Sequence, residues 1–171
     1  YRADPRAHKI DLGVGVYQDE VGRTPIMRAV SDAERHLLVN ETTKTYQGIA
    51  GDPVFNERLL ALLLGANHRV LEEDRVRGVQ TPGGCGALRI GAELIQRARP
   101  GAKVWVSTPT WANHIPLIGG AGLHLAEYPY FDAASGGIDF DAMMDTRSKV
   151  GPGELVLLHG CCHNPTGADL D

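Results

Sequence analysis

The sequence predicts an α/β domain in which a mainly parallel sheet is covered by helices on both faces, giving three layers. Short apolar runs at residues 103–107, 123–128 and 155–159 have the length of buried strands, and helical patterns lie between them. Strands that alternate with helices in this way pair in parallel through right-handed crossovers. The 171 residues, 43% of them hydrophobic, are sufficient to bury a substantial core.

Capping signals predict two helices before these strands. Thr24 and Pro25 predict a helix start with proline at the first helical position. Asp52 and Pro53 predict a second start by the same logic, and Gly65 predicts the end of that helix. The polar, turn-rich segment 40–51 is expected to be a loop.

The rest of the chain continues the alternation. Residues 75–81 predict a short strand, residues 82–86 a glycine-rich turn, and residues 87–98 a helix. After the strand at 103–107, residues 108–110 predict a turn, and a short helix is expected over 111–120.

A last helix is predicted before the final strand. Asp139 is expected to cap it, and its pattern runs through Met144. No internal repeat and no low-complexity segment interrupts the alternation of strands and helices.

Composition excludes several classes of protein. The net charge is −4 and charges of both signs are scattered, so the clustered Lys and Arg of a nucleic-acid surface are missing. The sequence has neither a membrane-length apolar span nor a signal peptide, so we expect no membrane partner. Its three cysteines, Cys85, Cys161 and Cys162, indicate a reduced, cytoplasmic protein, because a bridge between adjacent cysteines is strained.

Four polar turns follow strand-like segments, and the carboxyl ends of parallel strands hold ligands in open α/β sheets. The turns span residues 13–17, 81–86, 110–114 and 159–167. Paired glycines in the first let backbone approach a ligand, although a plain bulge explains them as well. Backbone N–H groups at a helix start could bind an anion in the second, or simply form a tight turn.

The last turn admits a metal site as an alternative. His159, Cys161, Cys162 and His163 all carry possible zinc ligands. Adjacent cysteines suit a tetrahedral site poorly, however, so we expect no metal and interpret the cysteines as small apolar fillers near the end of the sheet. A catalytic cysteine is possible, but no pattern of a cysteine protease supports it.

Taken together, the turns favour one pocket. It would hold a phosphate at Gly84 and Cys85, a flat ring on Trp111, and a polar ring substituent near the amide of Asn164. Pyridoxal 5′-phosphate is a cofactor of this description. For Trp111 alone, a position in the core would be the more common outcome.

On these residues the chain resembles the class I aminotransferases, in particular the branch of aspartate and aromatic (tyrosine) amino-acid aminotransferases. The matching segments, in family order, are residues 11–17, 41–46, 80–89, 105–114 and 161–167. The resemblance implies the fold type I of pyridoxal-phosphate-dependent transferases with an incomplete large domain. Residues 1–26 would belong to the small domain, and residues 27–171 would form part of the cofactor-binding large domain.

The resemblance also implies roles for residues. Gly15 would lie near the substrate carboxylate, and Tyr46 would reach the cofactor phosphate of a neighbouring subunit in a homodimer with shared active sites. Gly84 and Cys85 would bind the phosphate. The family usually has Thr or Ser where this chain has Cys85, and a thiol is the weaker donor, so we expect weaker phosphate binding.

The remaining roles concern the cofactor ring and the substrate. Trp111 would stack on the pyridine ring and contact substrate. Asn164 would hydrogen-bond the phenolic oxygen of the ring and lie near the substrate carboxylate. His114 and His159 would support the ring and its partners from behind.

The expected function is transfer of an amino group from aspartate or an aromatic amino acid to 2-oxoglutarate. Such enzymes need a lysine for the Schiff base, and none of Lys9, Lys44, Lys103 or Lys149 lies in a segment like the family's lysine motif. We therefore expect no catalytic residue in this chain and no activity from it alone. A non-catalytic remnant that binds phosphate compounds and a small metal-binding domain remain as alternatives.

Overall fold

In the computed structural model, which describes residues 1–11, 13 and 15–170, the chain forms two units, Tyr1–Tyr46 and Gln47–Asp171. The first unit contains helix α1 (Arg28–Asn40). The predicted start at Thr24 and Pro25 is wrong, because the helix begins at Arg28 after Met27, and no side chain caps it. Backbone bonds from Val30 and Ser31 to the Met27 carbonyl form its first turn instead. The expected small-domain boundary after residue 26 stays a prediction.

The second unit begins with two helices, α2 (Pro53–Leu64) and α3 (Arg69–Glu72). The predicted start of α2 is confirmed: the Asp52 carboxylate accepts a hydrogen bond of 2.8 Å from the Phe55 N–H. Gly65 ends the helix with φ +90°, where residues with a side chain are strained. Helix α3, a single turn of four residues, is not predicted from the sequence.

Residues 75–81 do not form the predicted strand, and helix α4 (Gly83–Ala98) starts earlier than expected. A strand needs a neighbour for its backbone groups, and among the described residues no strand pairs with this segment. The glycine-rich run predicted as a separate turn is the first turn of α4, so Gly84 and Cys85 lie within the helix.

Three parallel strands form the sheet in the order β2-β1-β5. They are β1 (Lys103–Thr108), β2 (His124–Pro129) and β5 (Leu155–Val156). Strand β5 is shorter than predicted, although a bond of 2.8 Å from the Leu157 N–H to the Trp105 carbonyl continues its pairing for one more residue.

Alternate residues of the strands point to opposite faces, and each face has its own core. On one face Val104 and Val106 pack among residues of α4 and α5 (His114–Gly119), including Ala92 and Ile118. On the other face the core comes from β1, β2, β5, the segment 130–138 and α6 (Phe140–Arg147), and its members are Trp105, Tyr128, Tyr130, Phe131, Ile138, Met143 and Val156. The predicted three-layer α/β fold with a parallel sheet is therefore confirmed.

A short antiparallel hairpin, which the sequence analysis missed, connects the sheet to α6. It consists of β3 (Phe131–Asp132) and β4 (Gly137–Ile138). Asp139 caps α6 as predicted, accepting from the Ala142 N–H at 3.1 Å, but the helix extends beyond Met144 to Arg147. Among the described residues no helix has both the length and the apolar character that a membrane crossing requires.

Candidate functional site

The amino terminus of α4 is open to an anion. The N–H groups in the first turn of a helix have no partner within the helix, and no side chain caps this one. Gly83 has φ +69°, and a side chain on Gly86 would come within 2.9 Å of the Pro82 ring, so both positions require glycine. A side-chain carbon on Gly84 would meet no atom within 4 Å, which shows that the space beside it is free.

The direction of α4 brings this terminus to the carboxyl edge of the sheet. The last turns of the helix lie at the amino end of β1, where the Gln96 side chain accepts from the Gly101 N–H at 2.8 Å. The helix packs on β1 through Ala92 and Ile95. A helix of 16 residues is about 24 Å long and the six residues of β1 span about 20 Å, so the helix is long enough for its first turn to reach the other end of that strand.

The turn after β1 carries a tryptophan and a histidine in contact. The rings of Trp111 and His114 meet edge to face with their centroids 5.4 Å apart. His114 is buried, and its Nδ1 lies 2.8 Å from the Thr110 hydroxyl. Trp111 is half-buried, so part of its surface is available for a ligand.

The turn after β5 reaches the same place. His159 meets His114 edge to face at 5.2 Å, and its Nδ1 accepts a hydrogen bond of 3.1 Å from the Asn164 backbone N–H. A neutral imidazole that accepts at Nδ1 carries its proton on Nε2. That Nε2 is buried and has no hydrogen-bond partner within the part of the chain that the structure describes.

A third histidine, His163, is the most buried polar residue of this turn, with 2% of its surface exposed. Its ring stacks between His159 at 4.1 Å and Tyr130 at 4.0 Å. Nε2 lies 3.0 Å from the Ser107 hydroxyl and Nδ1 lies 2.8 Å from the Thr166 hydroxyl. From the sequence alone His163 is predicted only as a possible zinc ligand, because its partner Ser107 lies 56 residues away.

All three imidazoles are held in the neutral form. Burial is the main cause that lowers the pKa of His114, His159 and His163 below the ordinary value. Neighbouring imidazoles lower the pKa of His114 and His163 further, since two adjacent positive charges repel. Near pH 7 these rings can therefore accept at one nitrogen and donate from the other.

The cysteines of this turn do not pack in the core, so their interpretation as apolar fillers is wrong. Cys161 and Cys162 are both exposed. Cys162 adopts φ +53°, a left-handed conformation in which its N–H and that of His163 donate to the Asp169 carboxylate, each at 2.7 Å. No group of three potential metal ligands is assembled by the residues that the structure describes.

The predicted site residues fall into two groups. Six of them belong to the second unit: Gly84, Cys85, Trp111, His114, His159 and Asn164. Gly15 and Tyr46 belong to the first unit, and Tyr46 is fully exposed.

Part of the first predicted turn lies outside the described residues. Val14 is the residue of that turn concerned, and Leu12, just before the turn, also lies outside them. Cys85 is exposed in the first turn of α4, and Asn164 is also exposed. The cofactor and substrate roles of all these residues stay predictions.

Comparison with known proteins agrees with the resemblance. Aspartate aminotransferase from Salmonella typhi is 48% identical over 169 residues, which cover 99% of this chain and 43% of that protein. The aromatic-amino-acid aminotransferase of Paracoccus denitrificans is 50% identical over 170 residues, 99% of this chain and 42% of that protein. The chain thus spans about two-fifths of the length of these relatives.

The fold is shared with a solved aromatic-amino-acid aminotransferase. The crystal structure of that enzyme from Burkholderia pseudomallei, covalently bound to pyridoxal phosphate, superposes with a TM-score of 0.91 at 42% identity. It covers 99% of this chain, which corresponds to 43% of the solved chain. A family model described as aminotransferase class I and II matches residues 7–171. The chain therefore belongs to the aminotransferase class I and II family.

Proposed function

We propose that this chain is the part of a pyridoxal-phosphate-dependent aminotransferase that binds the phosphate and one side of the cofactor ring. The complete protein would move an amino group from aspartate or an aromatic amino acid to 2-oxoglutarate. The observation that carries the proposal is the arrangement at the carboxyl edge of the sheet. Contacts among Trp111, His114, His159 and the Asn164 backbone join the turns that follow β1 and β5. The start of α4, which has no side-chain cap, supports a phosphate site beside them.

The chemistry of these groups fits the cofactor. The Gly83 N–H donates to the Thr81 carbonyl at 2.8 Å. The N–H groups that follow it in the first turn of α4 suit a phosphate dianion, and the helix dipole favours negative charge there. Trp111 offers an aromatic surface, and the exposed amide of Asn164 offers a donor for a ring oxygen. The buried Nε2–H of His159 still requires an acceptor, which is expected in a site that receives a further polar group.

Each residue would bind or orient, and none would exchange a proton with substrate. When bound, pyridoxal phosphate supplies an electron-withdrawing ring that stabilises negative charge on the carbon next to the amino group. The N–H groups of α4 would hold the phosphate, with Gly84 giving close access and Cys85 a weak donor. Trp111 would hold the ring plane, and Asn164 would orient the ring oxygen. His114 and His159 would support the ring from behind.

Other parts of the complete protein would finish the site. We place the Schiff-base lysine outside this chain, because none of its lysines lies in a matching segment. Tyr46, which is fully exposed, would reach the phosphate of a second subunit in a homodimer, and Gly15 would lie near the substrate carboxylate. A cytoplasmic location suits the exposed free cysteines.

The proposal is tested on the full-length protein, meaning this chain joined to the part that corresponds to the rest of its relatives. We expect it to bind pyridoxal phosphate, seen as a visible absorption band, and to transfer amino groups from aspartate or tyrosine to 2-oxoglutarate. Residues 1–171 expressed alone are the control and should show no transfer. A full-length protein that neither binds the cofactor nor transfers amino groups would contradict the proposal and favour a non-catalytic remnant.

A further inference from the structure

A chain of hydrogen bonds joins the turn of Asn164 to the turn of Trp111, and His163 lies at its centre. The Thr166 hydroxyl is 2.8 Å from Nδ1 of His163, and the Ser107 hydroxyl is 3.0 Å from Nε2. The Ser107 hydroxyl also donates to the Pro109 carbonyl at 2.9 Å. These hydrogen bonds therefore run from Thr166, two residues after Asn164, to Pro109, two residues before Trp111.

The direction of each of these hydrogen bonds follows from the number of protons that each side chain can donate. A hydroxyl has a single proton, so Ser107, which donates to Pro109, must accept from His163. His163 then carries its proton on Nε2, and its Nδ1 accepts from the Thr166 hydroxyl. Thr166 in turn accepts from the Ala168 N–H at 3.2 Å. Each group donates in the same direction, an arrangement in which neighbouring hydrogen bonds strengthen one another.

The surroundings of His163 keep this arrangement rigid. The ring is almost fully buried between His159 and Tyr130, with interplanar angles of 20° and 13°. The His163 N–H donates to Asp169, and the His163 carbonyl accepts from the Gly167 N–H at 2.7 Å. Backbone and ring are therefore both fixed immediately before Asn164.

We propose that His163 is a positioning residue that sets the place of Asn164 relative to Trp111 through its bonds to Ser107 and Thr166. The inference rests on the proposed function, in which these two residues hold the ring oxygen and the ring face of the cofactor. Without the bond to Ser107, the turn of Asn164 would lose its direct hydrogen bond to the end of β1. Asn164 would then meet the ring oxygen less well.

The main test uses two variants of the full-length protein. His163→Phe keeps a flat ring in the stack and removes both side-chain hydrogen bonds, and Ser107→Ala removes the partner at the end of β1. We expect each variant to weaken pyridoxal phosphate binding about tenfold, the equivalent of one well-placed hydrogen bond. We also expect a shift in the pH at which the absorption band of the bound cofactor changes. The double variant should be no worse than either single one, because the variants break the same chain.

Tyr130→Phe is the matched control. It removes a hydrogen bond of 2.7 Å from the Tyr130 hydroxyl to the Ala168 carbonyl. That carbonyl lies in the same turn but takes no part in the hydrogen bonds that run through the His163 side chain. It should lower the melting temperature while leaving the cofactor's titration in place. His163→Gln should partly restore binding, because its amide can donate to Ser107 as Nε2–H does.

Three results would contradict the proposed function or the positioning role of His163. If the wild-type protein shows no cofactor band, the proposed function fails and the inference fails with it. If the band is present and Ser107→Ala leaves both affinity and titration unchanged, the positioning role alone is overturned. If His163→Phe does not fold, nitrogen NMR of the wild-type protein tests the direction of the hydrogen bonds through His163. We expect the proton of the His163 ring on Nε2. A proton on Nδ1 would overturn the proposed hydrogen bond from His163 to Ser107.

Discussion

The carboxyl edge of the sheet and the first unit of the chain are stabilised in different ways. At the edge, polar side chains are buried and paired, as in the contacts of His163 with Ser107 and Thr166. In the first unit, α1 has no buried residue, and Leu38 and Val39 are 85% and 80% exposed. The chain's own contacts thus fix the proposed cofactor half of the site, whereas the first unit presents an apolar surface of the kind that marks an interface.

Truncating His163 should have the largest effect on stability. His163→Ala removes two hydrogen bonds and two stacking contacts from a buried position, so we expect the free energy of unfolding of the full-length protein to fall by about 3 kcal/mol. Urea unfolding measures this change. The control is His124→Ala on exposed strand surface, where a loss below about 0.5 kcal/mol is expected. Equal losses for the two variants would show that the stack is not a stabilising feature.

Leu38→Ala tests the other side of the comparison. Although this side chain is exposed within the chain, we expect a loss of about 2 kcal/mol in the full-length protein, because another surface should cover α1 there. If that surface is a second copy, the loss should depend on protein concentration. A loss below about 0.5 kcal/mol at all concentrations would mean that α1 remains uncovered.

Cys85→Thr should improve the phosphate site. A hydroxyl is a stronger donor than a thiol, and a hydrogen bond to a charged phosphate contributes about 1.5 kcal/mol, so we expect binding of pyridoxal phosphate to tighten about tenfold. Equilibrium titration of the full-length protein measures it, with Cys85→Ala as the control that offers no donor. Unchanged affinity in Cys85→Thr would show that only backbone N–H groups hold the phosphate.

Lowering the pH should produce the smallest and most gradual change. The folded state lowers the pKa of His114, His159 and His163 from 6.5, so below that pH the unfolded state binds more protons than the folded state. The contribution of these three histidines to the free energy of unfolding is complete above pH 6.5. It declines as the pH falls toward their pKa values in the folded state. Asp169, whose pKa is lowered from 3.8 by the N–H groups of His163 and Cys162, should add a loss only below about pH 4.

The pH effect is measured by urea unfolding across this range. In His163→Phe the decline below pH 6.5 should be shallower, because one of the titrating rings is gone. An identical slope in wild type and variant would contradict the assignment of the decline to this stack.

Local signals were predictable from the sequence, and contacts between distant segments were not. The caps of α2 and α6 were found because an aspartate acts on N–H groups three residues away. The hairpin around Asp132 was missed, although that aspartate accepts from the N–H groups of Ala134 and Ser135 and thus gives a usable turn signal. The prediction of a strand at 75–81 was wrong for another reason. A strand forms only beside a partner strand, and a local sequence pattern does not show whether a partner is present.

The candidate site divides in the same way. Trp111 and Asn164 are recognisable from the sequence because each lies in a segment that follows a strand. The glycines are recognisable as a cluster, but they form the first turn of α4 and follow no strand among the described residues. The role of His163 depends on Ser107, a partner 56 residues away, so no local pattern could reveal it. The exposed Cys162 has a left-handed conformation, and its N–H donates to Asp169, a partner seven residues further on that no local pattern indicates.

A cofactor bound at the turn of Trp111 should change the fluorescence of that side chain. Pyridoxal phosphate should quench the tryptophan emission of the full-length protein, and most of the quenching should disappear in Trp111→Phe. The quenching should persist in Trp105→Phe. The Trp105 side chain packs in the core on the α6 side of the sheet and donates a hydrogen bond of 2.7 Å to Glu154, so it is not expected to contact the cofactor. Equal quenching in wild type and Trp111→Phe would show that the cofactor does not bind at this turn.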